Sequence, residues 1–312
     1  MIGFIARRLL AIIPILFGVV TVTFLVMQVL PGDPVLALVG ERYDEATIER
    51  LRAELGLDKP LAVRYVEYLG RAVRLDLGRS FVTGRPVTDS IAERFPRTAL
   101  LAGSAMLIAV AFGVFAGALA SWGAHPWAGR LLMGGTLVGV SIPVFWLGLL
   151  LIHVFALWLG VLPPSGYGGG SLRYLFLPAV TLSFASMASI ARVTRSGFLD
   201  AAGEDFIRTA RAKGLADGAV LGKHVLRNAL IPVVTIVGTD FGSYLSGSVL
   251  TESIFGWPGL GRLIVQSILR RDFPVIQGAV LFTAVLFVVV NLIVDISYGF
   301  IDPRIRHAGG RR

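Results

Sequence analysis

The chain has 312 residues, of which 55% are hydrophobic and only 16% charged, with a formal net charge of +9 and no cysteine. Soluble domains run nearer a quarter charged, so this composition points to an integral membrane protein. The lack of cysteine excludes disulfides and thiolate metal sites, and a basic excess split among four separate segments is not a nucleic-acid footprint.

In chain order, Arg7 and Arg8 precede the uncharged run Leu9–Leu30. That run is too long for a typical secretory core and lacks a small-residue cleavage site, so it reads as an uncleaved signal anchor. The long segment 31–97 is neutral and looks folded. Within it, DEATIERLRAELG (44–56) sets Ile48, Leu51 and Leu55 at helical spacing, between a candidate N-cap, Asp44, and a candidate stop, Gly56. KPLAVRYVEYLGRAV (59–73) predicts a second helix opening at Pro60, so a small external helical module is expected. Uncharged runs follow at Thr98–Ala124, Leu131–Leu172 and Tyr174–Ala191; the second is too long for one span and breaks at LGVLPPSGYGGGS (159–171). Asn228–Thr251 is interrupted only by Asp240, and Phe273–Ile301 only by Asp295. About 20 apolar residues cross a bilayer, and none of these runs alternates as barrel strands do. The sequence therefore predicts an all-α integral membrane protein with six transmembrane helices.

Orientation follows from the basic residues. With the N-terminus inside, the segments 1–8, 125–130, 192–229 and 302–312 are all cytoplasmic and all net basic, while the external loop 31–97 is balanced. This bias places both termini in the cytoplasm. The chain then divides into an anchor span (1–30), an external helical loop (31–97), a five-span core (98–301) containing the cytoplasmic loop 192–229, and a cytoplasmic tail (302–312).

Catalytic patterns are missing. A phosphate-cradling loop needs a glycine five residues before Gly-Lys, but Gly222-Lys223 has Asp217 there. His125, His153, His224 and His307 form no i, i+4 pair, and neither HExxH nor GxSxG occurs. Charges inside spans are expensive and mark function by default. Asp240 sits in VTIVGTDFGSYLSGS, with Thr235, Thr239, Ser243 and Ser246 near it on roughly one helical face. Two readings suit that stripe: a wet translocation path, or an interhelical hydrogen-bond cluster that holds the bundle. Asn291 and Asp295 extend such a path, although Asp295 lies close enough to the cytoplasmic end to be interfacial.

The segment EDFIRTARAKGLADGAVLGKHVLRNALIP (204–232) is charged and helix-prone between two spans. Ala202, Phe206 and Ala210 recur every fourth residue with Ile207 adjacent, Gly214 is placed to end a helix, and Asp217 to cap the next. The segment reads either as a basic amphipathic loop on anionic lipid or as a rigid lever for a soluble partner. A glycine corner between helices favours the lever.

This segment resembles the EAA loop of ABC importer permeases. Anchored on Gly214, Ala210 and Leu226 also match, while Arg208 and Arg227 stand where the general pattern has Glu and Pro. TARAKGL followed by LRNALIP is similar to the peptide-permease branch. So are LPGDPV (30–35), LDLGRSFVTGRPV (75–87), PRTALL (96–101), ESIFGWPGLGRL (252–263) and IDPRIR (301–306), which together run over nearly the whole chain. The likeness is to the first permease of dipeptide, oligopeptide and nickel importers. It implies a type I ABC importer permease fold in a bacterial inner membrane, and a subunit that is not an enzyme and holds no cofactor. ATP and Mg would belong to two partner ATPases. A second related permease, an external substrate-binding protein and membrane lipid are the other implied partners, with no nucleic acid. Small peptides are the implied solute. The alternatives are nickel, glutathione or another small solute on the same architecture, or an ATP-independent carrier. Carried over by residue, ATPase coupling falls to Ala210, Gly214, Leu215, Ala216, Asp217 and Gly218, flanked by Arg208, Arg211 and Lys213. The turn Trp257-Pro258-Gly259, followed by a short amphipathic helix Leu260–Leu269, suggests an external gate or an interfacial tryptophan anchor. Glu252 is then placed to cap the gate or to pair with Arg262.

Overall fold

The computed structural model describes residues 2–29, 35–36, 45–122 and 126–301. Asp44, most of LPGDPV, His125, the tail 302–312 with His307, and the side chain of Asp295 lie outside the described residues.

Helix α1 (Ile2–Val29) carries the first apolar run. The expected helical module is formed by α2 (Glu45–Glu54) and α3 (Leu61–Val73). Gly56, at φ 65, closes α2 as expected, and Pro60 occupies the N-cap position of α3. The module is tied to α1 by aromatic packing: Phe24 meets Tyr65 and Tyr68 at ring distances of 5.3 and 5.8 Å. Thr21 Oγ1 also lies 2.7 Å from the Tyr65 hydroxyl.

Helix α4 (Val87–Trp122) begins inside the segment read as external loop. Its first turns are helical because Val87 and Ile91 bury against Leu260, Leu263 and Val275, which an isolated loop does not need to do. Farther along, α4 approaches α7 (Leu172–Ala202) through Gly113 and Gly117. A Cβ at Gly117 would lie 2.5 Å from the Ala191 carbonyl oxygen, so only glycine allows this spacing.

The run 131–172 is not one straight span. Helix α5 (Pro126–Ser141) and helix α6 (Val144–Leu151, continued by a π-helical stretch to Trp158) meet at an angle of 103°. Pro143, at the N-cap of α6, supplies the break within the apolar run. A second bent pair follows. Helix α8 (Asp205–Ala212) leads to α9 (Asp217–Ala229), which joins α10 (Ile231–Leu245) with a bend of 47°. Then come α11 (Val249–Ile254), α12 (Leu260–Leu269) and α13 (Phe273–Ile301). Among the described residues four helices are long and apolar enough to cross a membrane, and six spans result when each bent pair counts as one. The fold is all-α; the pairing of Arg79 with Pro86 is an isolated bridge.

Candidate functional site

The sequence-derived residues fall into three clusters. The first is the corner around Gly214. Gly214 has φ 77, its N–H donates to the Arg211 carbonyl at 2.9 Å, and the Leu215 N–H donates to the Ala210 carbonyl at 3.4 Å. This paired closure is a Schellman motif, and it needs a residue that tolerates positive φ. Residues 211–219, including Lys213, Ala216 and Gly218, are all exposed. Beneath them Ile207, Ala210, Val220, Leu221 and Val225 pack with Phe198 and Ala201 of α7. Fully burying such aliphatic side chains contributes about 1.5–3 kcal/mol each, so the base is firm while the tip is free. The buried face differs from expectation by one residue: Ile207 is fully buried and Phe206 is 43% exposed. Asp217 does not cap α9. Ala216 holds the N-cap position, and the Asp217 carboxylate faces Arg211 across the turn at 3.3 Å. Arg208 pairs with Asp205 along its own helix at 3.3 Å. Both pairs are solvated and stabilise little.

The second cluster is on α10, where the structure splits the expected path residues. Thr235, Thr239 and Ser243 lie exposed along one face. Asp240 sits at the edge of that face and turns toward α7, where its carboxylate accepts from Ser186 Oγ at 2.5 Å. Ser186 Oγ also lies 2.5 Å from the Tyr244 hydroxyl, which donates to the Leu182 carbonyl at 2.8 Å. Ser246 instead bonds within its helix, to the Gly242 carbonyl at 2.9 Å, and reaches the Thr283 carbonyl on α13 at 3.4 Å. Asn291 donates to the Phe287 carbonyl of its own helix at 2.9 Å. Tyr244 was within sight of sequence reasoning, one turn after Asp240. Ser186 was not, because it lies 54 residues away on another span.

The third cluster is a clamp around Glu252 and Trp257. The Trp257-Pro258-Gly259 turn is present, with the Gly259 N–H donating to the Trp257 carbonyl at 2.9 Å, and α12 follows over the expected residues. Trp257 is fully buried and its Nε1 donates to the Arg97 carbonyl at 2.9 Å, which rules out a lipid-facing tryptophan anchor. Glu252 is also fully buried. It accepts from Thr98 Oγ1 at 2.8 Å and from the Arg262 backbone N–H at 3.0 Å, while the Leu260 N–H donates to Thr98 Oγ1 at 2.8 Å. Glu252 thus caps α12, where orphan N–H groups and the helix dipole favour an acceptor. It meets Arg262 through the backbone; the Arg262 guanidinium turns to the Gly256 carbonyl. Burial pushes the Glu252 carboxyl above the usual carboxylate range, against the opposing pull of its hydrogen bonds and of Arg94. A second latch was not foreseen. Asp272, buried in the α12–α13 corner, accepts from Ser80 Oγ at 2.5 Å and from the Phe81 N–H at 2.9 Å, fixing the 79–86 turn. Its setting in ILRRDFP reads as solvated charge.

A cavity of about 830 Å³ lies between the α2–α3 module, the 75–81 loop and the ends of α1 and α13. Its lining includes Lys59, Arg64, Glu67 and Arg71 and none of the α10 row, so it is a crevice of the module, separate from the row. Among the described residues no group of three or more His, Asp or Glu is arranged to hold a metal ion.

Comparison with known proteins covers nearly the whole chain. The family described as binding-protein-dependent transport system inner membrane component matches residues 109–307, and its N-terminal component matches residues 1–102. The glutathione transport system permease protein GsiC of Escherichia coli strain K12 is 46% identical over 307 residues, covering 98% of this chain and all of the relative. GsiC of Shigella dysenteriae serotype 1 has the same identity and coverage. Among solved structures, an inward-facing form of the MetNI methionine ABC transporter aligns with a TM-score of 0.57 at 17% identity, covering 68% of this chain and 96% of that one. An amino acid ABC transporter with histidines aligns at 0.52 and 20% identity, covering 68% and 94%. These structural likenesses concern the fold.

Proposed function

The chain belongs to the family of binding-protein-dependent transport system inner membrane components, and on that premise we propose that it carries short peptides, glutathione first among them, into the cell. It is a multi-pass inner-membrane permease of an ABC-type importer, a transport subunit and not an enzyme; ATP hydrolysis resides on separate subunits. The peptide reading draws support from the GsiC relatives, since glutathione is itself a short peptide. Nickel or another small solute on the same architecture is the alternative.

The observation that carries the coupling role is the exposed corner 211–219, rooted in a buried base and joined through α9 to α10. We assign Arg208, Ala210, Arg211, Lys213, Gly214, Leu215, Ala216, Asp217 and Gly218 to the contact with one of two cytoplasmic ATPases, which bind ATP and Mg. A second, related permease completes the membrane part, and an external binding protein delivers the solute. Both termini are cytoplasmic, so the corner faces the ATPases. Closure of the ATPases pushes the corner, and α9 passes the displacement to α10 and the Thr235–Thr239–Ser243 face, as in rigid-body gating around a central site. Glu252, Trp257, Pro258 and Gly259 hold the outer end together as the external gate. The test is uptake of glutathione and of a dipeptide by the complex reconstituted in proteoliposomes with its binding protein. We expect uptake that requires ATP; uptake that proceeds equally without ATP contradicts the reading.

A further inference from the structure

We propose that Asp240 is the group on this subunit that recognises a positively charged amine on the solute in transit. The inference rests on the peptide-importer reading and deepens it.

Asp240 lies within an apolar span, where a carboxylate without a compensating cation is expensive and is kept for a reason. Its hydrogen bond comes from Ser186, a neutral hydroxyl, and no basic side chain forms an ion pair with it among the described residues. One donor leaves most of a carboxylate's acceptor positions open.

The packing of α10 fixes where those positions look. On one side α10 is pressed against α13, where a Cβ at Gly238 would lie 2.3 Å from Val294 Cγ2. On another side Tyr244 and Ser186 join it to α7. The remaining face carries Thr235, Thr239 and Ser243, all exposed. A polar face on a span does not turn to lipid; it turns to a water-filled path or a partner helix. Asp240 borders that face, and with one oxygen held by Ser186 its other oxygen accepts from no group among the described residues. Ser186 and Tyr244 hold the carboxylate in place, which makes them positioning residues. An ammonium supplies the missing charge and three N–H donors, a match for a part-buried carboxylate. Short peptides, glutathione included, carry that ammonium at the amino terminus.

The experiment compares glutathione with N-acetylglutathione, which lacks the charged amine. Both are offered to reconstituted complexes containing wild-type, Asp240→Asn or Ser186→Ala subunits, with the same binding protein throughout. Selectivity contributed by the binding protein then cancels between variants. Asparagine keeps a carbonyl acceptor for Ser186, removes the charge and replaces the other acceptor oxygen with an NH2 donor. We expect Asp240→Asn to lower the glutathione-to-N-acetylglutathione uptake ratio by about tenfold or more, as loss of a charge-assisted hydrogen bond implies. Ser186→Ala keeps the carboxylate and is expected to keep most of the ratio. An unchanged ratio in Asp240→Asn overturns the proposal, whether or not total uptake falls. Failure of the Asp240→Asn subunit to join the complex also overturns it, because Asp240 would then be the ion-pair partner of another subunit. A wild-type complex that takes up neither these compounds nor a dipeptide overturns the peptide reading itself.

Discussion

The two ends of this subunit are built on opposite plans. At the Gly214 corner residues 211–219 are all exposed, closed by one Schellman turn and solvated ion pairs. At the other end Glu252, Trp257 and Asp272 are buried and bonded to residues far away in sequence, Thr98, Arg97 and Ser80. On the proposed function, the contrast separates two mechanical jobs. A part that is pushed needs a free surface on a firm base; a part that must move as a block needs its elements stitched together. Removing a stitch should therefore harm the fold, whereas altering the corner should harm coupling.

The largest stability effect is expected from Glu252→Ala. It strands the Arg262 N–H and the Thr98 hydroxyl in a buried site, a loss of about 3 kcal/mol, readable as a lower unfolding temperature of the purified complex in detergent. Next comes Gly259→Ala. The added Cβ would sit 2.3 Å from Glu252 Oε1, and such overpacking is expected to destabilise by about 1–3 kcal/mol in the same assay.

A smaller, pH-dependent effect follows from the raised Glu252 carboxyl. With a folded-state value above the unfolded one, the folded protein binds the proton more tightly, so this group's contribution is present in acid. It is lost as pH rises from the ordinary carboxylate value through the raised one. Relative to Glu252→Gln, the wild type should lose stability as the pH rises across that window; the opposite slope would show that the capping bonds outweigh burial. The smallest effect is expected at the corner itself. Asp217→Asn breaks the solvated contact with Arg211 and should change stability by no more than about 0.5 kcal/mol. A loss comparable to that of Glu252→Ala would erase the contrast.

Local features were legible in the sequence and long-range partners were not. Gly56, Pro60, Gly214 and the Trp257-Pro258-Gly259 turn announced themselves because each acts on its own backbone. The bend at Pro143 was equally local, but it lay inside an uncharged run whose composition masks a break. Ile207 replaced Phe206 on the buried face because α7, not helical period alone, decides which side is covered. Asp240 and Glu252 stood out as acids in apolar or outer segments, yet their partners Ser186 and Thr98 lie 54 and 154 residues away. No spacing rule reaches that far. Asp272 follows Arg270 and Arg271, and its partner Ser80 lies 192 residues away.

The coupling claim meets its most direct test at Gly214. Its φ of 77 disfavours a β-branched residue by about 1–2 kcal/mol, while the space around its Cβ position is open, so Gly214→Val strains the turn without a packing clash. ATP-dependent glutathione uptake should be measured in proteoliposomes containing equal amounts of wild-type or Gly214→Val subunit. We expect uptake to be lost while the variant subunit remains in the membrane. Uptake equal to wild type would contradict the role of this corner as the place where ATPase motion enters the spans.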